Sequence, residues 1–362
     1  MAKRILIICP NPENYAPGQR LKYEQYFESW RKDGWDIDVE SFISEAFQQI
    51  VYTDGNFLKK IYYTITAYCR RIALLPRVAN YDVVYFFLWV TPFGAPVFEW
   101  LYTKAAKKVI FDIDDLVFLK NNPHEKKYLS WIKGKGKPIF LMKHADYVIT
   151  CTPYLDKFVR QYNSKTTDIS STVDTEKRYQ AVNNYENDDK IILGWSGSHS
   201  TSKYLYLLTN VLLELKKKVD FKLLVMGDDS FDIDGLEIEA IKWSEEKEIA
   251  QLQRMDIGLY PLPLNDEWVL GKSGLKAIQY CALGIPTIAT DVGCNDRVII
   301  NNETGYLVKT QEEWLQKLLL LIKDNSLRKK IGLAAREHVS KNYSINANKG
   351  TYLMILSEVA GY

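Results

Sequence analysis

The chain has 362 residues, 47% of them hydrophobic and 25% charged, with a formal net charge of +2. That balance excludes a disordered or fibrous protein, and the length exceeds a single hydrophobic core, so two domains are expected. Near-neutrality removes the basicity that would argue for nucleic acid, and five scattered cysteines without a C-x-x-C pair fit reduced thiols in the cytoplasm, neither a disulfide framework nor a zinc site.

The first apolar run, inside MAKRILIICPNP, is too short for the core of a secretion signal and predicts a buried strand over residues 4–9. No run approaches the roughly 20 apolar residues that cross a bilayer, so any membrane association is expected to be peripheral. A helix over 21–33 and a strand over 37–42 follow. Residues 57–77, FLKKIYYTITAYCRRIALLPR, interleave Lys59, Lys60, Arg70 and Arg71 with Tyr62, Tyr63 and Tyr68. Such a segment either lies on an anionic membrane surface or is a domain helix whose basic residues snorkel.

Strands over 83–88 and 109–113 flank a helix over 95–107, and another strand covers 147–151. The strand 109–113 runs into the acidic sequence DIDD. Asp112 and Asp114 form a D-x-D, a pattern by which carboxylates hold a divalent cation against a diphosphate. The alternative is that these carboxylates cap the segment that follows.

After a polar connection over 176–190 the alternation restarts, with strands over 191–195, 221–226, 257–260 and 286–290 and helices over 203–217, 249–255 and 274–282. Two doubly wound, Rossmann-like units in tandem are expected, residues 1–173 and 174–340, with 341–362 a C-terminal helix packing back on the first. In each half the first strand, RILIIC or KIILGW, runs into a polar turn containing glycine and then a helix. This sets backbone amides at the carboxyl edge of the sheet, where ligands of open α/β sheets bind. Neither turn carries G-x-G-x-x-G, which argues against a dinucleotide-dependent dehydrogenase, and the absence of G-x-S-x-G argues against a hydrolase.

The richest stretch is GKSGLKAIQYCALGIPTIATDVGCN, residues 271–295. Gly271, Ser273 and Gly274 can bring backbone N–H groups to an anion, and Lys272 and Lys276 add positive charge at a helix start whose dipole already favours one. Ala277, Ile278, Cys281 and Ala282 form its apolar face, Gly284 stops it, and Pro286 opens a strand. On local pattern alone the same stretch is also an ordinary helix-to-strand crossover.

Its residues LKAIQYCALGIPTIATDVGCN resemble the donor-sugar signature of glycosyltransferase family 4, the retaining GT-B enzymes, which usually reads E-G-F-G-L-x-x-x-E-A-M-A-x-G-x-P-V-V-A-T. Gly274 and Leu275 take its Gly-Leu, Gln279 stands at the second glutamate, Gly284 and Pro286 form its G-x-P, and Gly271 stands at the first glutamate. Gly194, Gly197, Ser198 and Lys203 resemble the turn G-R-x-x-x-x-K, with Ser198 at the arginine. PGQRLKYEQYFESWRKDGWDIDV is similar to the family's glycine-rich turn and helix, with Gly18 beside the catalytic cleft and Arg20 available to an anion. VIFDIDD is similar to a strand ending T-x-H-D, with Asp114 at the histidine and Asp115 at the aspartate.

This resemblance implies an α/β GT-B fold, two tandem Rossmann-like domains facing each other across a cleft. It implies transfer of a sugar from a nucleoside diphosphate sugar to a hydroxyl of a glycan, lipid-linked or small-molecule acceptor, with retention of anomeric configuration and without a metal or other cofactor. The expected setting is synthesis of cell-surface polysaccharide or glycoconjugate. Lys203, Lys272 and the amides around Gly197 and Gly274 would take the leaving diphosphate. Ser198, His199, Ser273 and Leu275 would complete the donor side. Gln279 would bond the ribose hydroxyls, so Gln279→Glu is expected to be tolerated or mildly favourable. Asp114 would act in catalysis and Asp115 on the acceptor side. Two alternatives stay open: a GT-B nucleotide-sugar epimerase, and a noncatalytic nucleotide-binding or partner protein, the latter because both glutamates are missing.

Overall fold

The computed structural model describes residues 3–118, 134–181 and 190–362. Residues 182–189 of the expected connection 176–190 therefore lie outside the described residues. The chain divides into two compact units, 1–171 with 348–362, and 172–347.

The first unit is built on strands β1 (Lys3–Cys9), β2 (Trp35–Ser41), β3 (Val83–Phe87), β4 (Val109–Asp112), β5 (Tyr147–Thr150) and β6 (Thr166–Asp168). They form one sheet in the order β2-β1-β3-β4-β5-β6, parallel at every pair. Ile5, Leu6, Ile7 and Ile8 are buried in succession, the continuous apolar run of a strand covered on both faces. Tyr23, Tyr26, Trp30 and Tyr85 make an aromatic layer on this sheet, closed by Tyr352 of the helix Ile345–Ala360, whose ring centroid lies 4.5 Å from Tyr26 and 5.8 Å from Trp30.

The helix expected over 21–33 is broken into Pro17–Arg20, a 3₁₀ turn Glu24–Tyr26 and Phe27–Lys32. The cause is polar. Gln19 Nε2 donates to Glu24 Oε1 and to the Asn11 carbonyl, while the Lys22 side chain is drawn fully inside. The strand expected over 83–88 stops at Phe87, because Leu88 takes a left-handed φ of 63°.

The second unit carries β7 (Ile191–Ser196), β8 (Phe221–Met226), β9 (Ile238–Ile241), β10 (Ile257–Tyr260), β11 (Thr287–Thr290) and β12 (Gly305–Val308). Their order is β12-β11-β10-β7-β8-β9, again parallel throughout. Its core packs Leu193, Leu223, Val225 and Leu259 of the sheet against Leu212 and Leu215 of the helix Thr209–Lys216 and Trp314 and Leu318 of the helix Gln311–Lys323. The helix expected over 203–217 starts earlier and in pieces, His199–Ser202, a 3₁₀ turn Leu205–Leu208, then Thr209–Lys216.

Strand order reverses beside the first strand of each unit: β1 lies between β2 and β3, and β7 between β8 and β10. Sheets of this kind open a crevice at such a point, beyond the carboxyl ends of the strands.

Candidate functional site

At the reversal point of the second unit, β7 ends in Trp195 and Ser196 and β10 ends in Tyr260. The helix Leu275–Ala282 runs beneath this edge and is fastened to it. Ser196 donates from its backbone N–H to the Tyr280 hydroxyl at 2.7 Å, and the two hydroxyls are 2.9 Å apart. One turn earlier on the same face, Lys276 lays its ammonium 5.5 Å from the Trp195 ring centroid and 5.4 Å from that of Tyr260. Burial removes its water and Lys272 repels it, which lowers the Lys276 pKa to about 8. Among the described residues no carboxylate forms an ion pair with it. Two ammonium groups thus converge where a helix starts, after Gly274 enters it at a φ of 75°. A helix start that carries added positive charge favours an anion.

Gly197 is part of this cradle for a reason other than the expected one. Its N–H donates to the Met226 carbonyl at 2.9 Å, continuing the sheet, so it is not offered to a ligand. What the position supplies is space. A Cβ there would stand 2.4 Å from the Trp195 ring and 2.9 Å from Lys276 Cε. Ser198 likewise turns inward to local structure: its N–H donates to Thr201 Oγ1 at 3.1 Å, its hydroxyl lies 2.9 Å from Ser200 Oγ, and it caps the short helix His199–Ser202.

His199 is held from behind. Its ring is 79% exposed, and Nδ1 lies 3.0 Å from Oδ1 of Asp228, which is buried just past the end of β8. Burial opposes the charge of Asp228, but bonds from the Ser202 and Ser230 hydroxyls, from His199 and from the Ser230 amide outweigh it and hold this carboxyl far below its ordinary range. A carboxylate on Nδ1–H leaves Nε2 as the ring atom directed away from the anchor. Lys203 is exposed, its ammonium 5.3 Å from the ring of its neighbour Tyr204. Lys272 lies 5.5 Å from the Trp268 ring. Ser273 and Leu275 flank Gly274 at the helix start and are partly buried.

Gln279 is buried and already bonded. Its Nε2 donates to the Tyr179 hydroxyl at 2.8 Å and to Glu248 Oε1 at 3.2 Å. Glu248 Oε1 also accepts from Trp243 Nε1, and Oε2 accepts from Arg178 Nη2, each at 3.2 Å. The carboxylate absent from position 279 is thus present beside it, contributed by the helix Glu248–Leu252. The amide donor of Gln279 is spent on this network, so only Oε1 remains to accept from a ribose hydroxyl. A glutamate at 279 would face Glu248, a contact that weighs against the expected tolerance of Gln279→Glu.

In the first unit, Gly18 packs against Asp114: a Cβ at 18 would come within 2.8 Å of Asp114 Oδ2. Arg20, expected to be open to an anion, is instead buried. Asp115 Oδ1 accepts from the amide of the next residue, Leu116, at 2.8 Å. Asp112, the first acid of the D-x-D, is fully enclosed. It pairs with Lys22 Nζ at 3.1 Å and accepts from the Tyr85 hydroxyl, while Lys22 also donates to the carbonyls of Thr150 and Ile169 at 2.7 and 2.8 Å. Both partners have no exposed side-chain surface, so Asp112 and Asp114 do not present the paired open carboxylates that a D-x-D cation site needs. Among the described residues no group of three or more His, Cys, Asp or Glu is placed to hold a metal.

Lys22, Asp228, Glu248 and Tyr179 were outside the sequence-based set, and Lys276 entered it only as added charge. The signal for Lys276 was its place one helical turn before Tyr280. The others depend on contacts between residues far apart in the chain.

Residues 176–338 match the family described as Glycosyl transferases group 1. Trehalose synthase of Pyrococcus horikoshii is 35% identical over 88 residues, 24% of this chain, and the match spans only 21% of that relative's length. Sucrose-phosphate synthase from Thermosynechococcus elongatus superposes with a TM-score of 0.70 at 14% identity, over 99% of each chain. A glycosyltransferase from Rickettsia africae gives 0.70 at 18% identity, over 99% of this chain and 98% of its own. HepE of Anabaena, in complex with UDP and glucose, gives 0.68 at 12%, over 99% and 100%.

Proposed function

We propose, for a chain that has the GT-B fold and whose second unit is that of the group 1 glycosyl transferases, that it transfers a sugar from a nucleoside diphosphate sugar to an acceptor hydroxyl with retention of anomeric configuration. The acceptor is a glycan, a lipid-linked glycan or a small molecule, and the setting is cytoplasmic synthesis of cell-surface polysaccharide or glycoconjugate. The observation that carries this reading is the cage in which Lys276 lies between Trp195 and Tyr260 with Lys272 beside it.

The barrier in such a reaction is departure of the diphosphate, so the useful groups are cations fixed where negative charge develops. Lys276 and Lys272 serve this role from the helix start. His199, steadied by Asp228, completes the donor side, and Lys203 adds charge at the rim. The first-turn amides following Gly274 complete the anion site. Gln279 accepts from ribose through Oε1, and the Glu248 carboxylate beside it supplies the acidic character of that corner. In the first unit Asp114 acts in catalysis and Asp115 meets the acceptor. No metal is required, because the lysines supply the positive charge.

The test is release of nucleoside diphosphate from UDP-, GDP- and ADP-sugars with and without an acceptor panel, starting with UDP-glucose because HepE was solved with UDP and with UDP-glucose. Acceptor-dependent release with an anomeric proton of unchanged configuration supports the reading. Acceptor-independent formation of an epimer or free sugar, or nucleotide binding with no turnover on any acceptor, would replace it.

A further inference from the structure

The helix Phe57–Leu74 turns its apolar side chains outward. Its buried residues, Ala67, Arg71 and Leu74, share one side. At about 100° per residue, Phe57, Leu58, Ile61, Tyr62, Ile65 and Ile72 occupy an arc of about 140° roughly opposite to them. Five of these are 58–79% exposed and Ile61 is 41% exposed. A surface helix ordinarily does the reverse, and a contiguous exposed apolar face, unlike single exposed residues, marks an interaction surface. The face extends beyond the helix. The Tyr68 ring lies 5.4 Å from that of Phe98 and its hydroxyl 3.5 Å from the Phe93 carbonyl, and in that neighbouring segment Phe93, Val97 and Trp100 are about half exposed.

Charge decides what covers this face. Between Asp54 and Asp82 the chain has no acidic residue and five cations. One of them, Arg71, points inward and donates to the carbonyls of Cys9, Glu40 and Val90, which makes it part of the fold. Lys59 is exposed on one border of the stripe and Arg77 just beyond the helix, while Arg70, exposed beside Lys59, donates to the Phe42 carbonyl at 2.8 Å. A second copy docked on the same face would bring these cations together, whereas an anionic surface would pair with them. Tyrosines along the stripe and cations on its rim are the composition of a helix at a lipid–water boundary. Among the described residues no helix is long and apolar enough to span a bilayer.

We propose that this face docks the protein on an anionic lipid bilayer, with helix Phe57–Leu74 lying in the plane of the interface, its apolar stripe at the acyl boundary and Lys59 at the headgroup phosphates. The inference rests on the first unit alone and does not depend on the reaction proposed above. The test is co-sedimentation of the full chain with phosphatidylcholine vesicles, with and without phosphatidylglycerol. Binding is expected to the anionic vesicles, to be released by high salt, and to be about tenfold or more weaker on neutral ones. Lys59→Gln should weaken it about fivefold, the factor expected for one basic residue at such a surface. Leu58→Glu with Ile65→Glu should abolish it with an unchanged melting temperature, since both positions are solvent-facing. Three results would overturn the proposal. These are a chain that stays in the supernatant with anionic vesicles, equal binding to neutral and anionic vesicles, or a wild-type dimer in sedimentation velocity that the Leu58→Glu/Ile65→Glu variant dissociates.

Discussion

Gln279→Glu puts a carboxylate where the Gln279 amide now sits 3.2 Å from Glu248 Oε1. Two carboxylates at that separation repel by about 5 kcal/mol at an effective dielectric of about 20. The pair escapes by binding one proton, which at pH 7 costs about 1.36 kcal/mol for each unit above an ordinary glutamate value near 4.3, or about 4 kcal/mol. Arg178, 3.2 Å from the other oxygen of Glu248, returns part of this. The variant should therefore lose about 2–4 kcal/mol at pH 7. The pair's proton is held more tightly folded than unfolded, so the loss should shrink as pH falls toward the unfolded value and be nearly gone around pH 4–5. Glu248→Gln added to Gln279→Glu exchanges amide and carboxylate and should recover stability to within about 1 kcal/mol. Urea denaturation of the single and double variants at pH 7 and pH 5 reads this directly. A Gln279→Glu protein as stable as wild type at pH 7, or a loss that neither acid nor Glu248→Gln relieves, would refute the network.

Lys276→Met should raise the thermal midpoint of the ligand-free protein, because it removes a desolvated charge repelled by Lys272, while lowering donor turnover by about 2–4 kcal/mol of transition-state energy; calorimetric melting and steady-state kinetics check the two halves. Gly197→Ala should cost about 1–3 kcal/mol and weaken nucleotide binding, since its Cβ enters the space of Trp195 and Lys276, an effect read by nucleotide-induced thermal shift. Turnover should survive thorough chelation, because Asp112 is committed to Lys22 and Tyr85; loss in EDTA restored by manganese would assign a metal to the reaction.

The doubly wound architecture was legible because parallel strands buried on both faces write themselves as short apolar runs, such as RILIIC and TIAT, separated by helical spacing. The loop at 271–276 was legible for a similar reason: glycine, serine and lysine before an amphipathic helix describe an anion site within a few residues. The availability of each group was not. Asp112 reads equally as a metal ligand or a cap until Lys22, 90 residues earlier in the chain, is seen to occupy it. Gln279 reads as a lost carboxylate until Glu248 is found in contact with it. The Gly197 amide reads as a donor until the pairing of β7 with β8 consumes it at Met226. The broken helix after residue 17 has the same origin, since a lysine pulled into the core overrides a helical period that the local sequence supports.

The central claim is that a nucleoside diphosphate binds against Lys276, and the most direct test is calorimetric titration of the best-binding nucleoside diphosphate at pH 8 in two buffers of different ionisation enthalpy. With a free-state pKa of about 8, Lys276 is half protonated there and must be fully charged against the diphosphate. Binding should therefore take up about half a proton, and affinity should fall by up to about tenfold per pH unit above that point. Lys276→Met should bind more weakly, with that uptake and that pH dependence both gone. Equal proton uptake in wild type and Lys276→Met, or unchanged affinity in the variant, would place the diphosphate elsewhere and contradict the account.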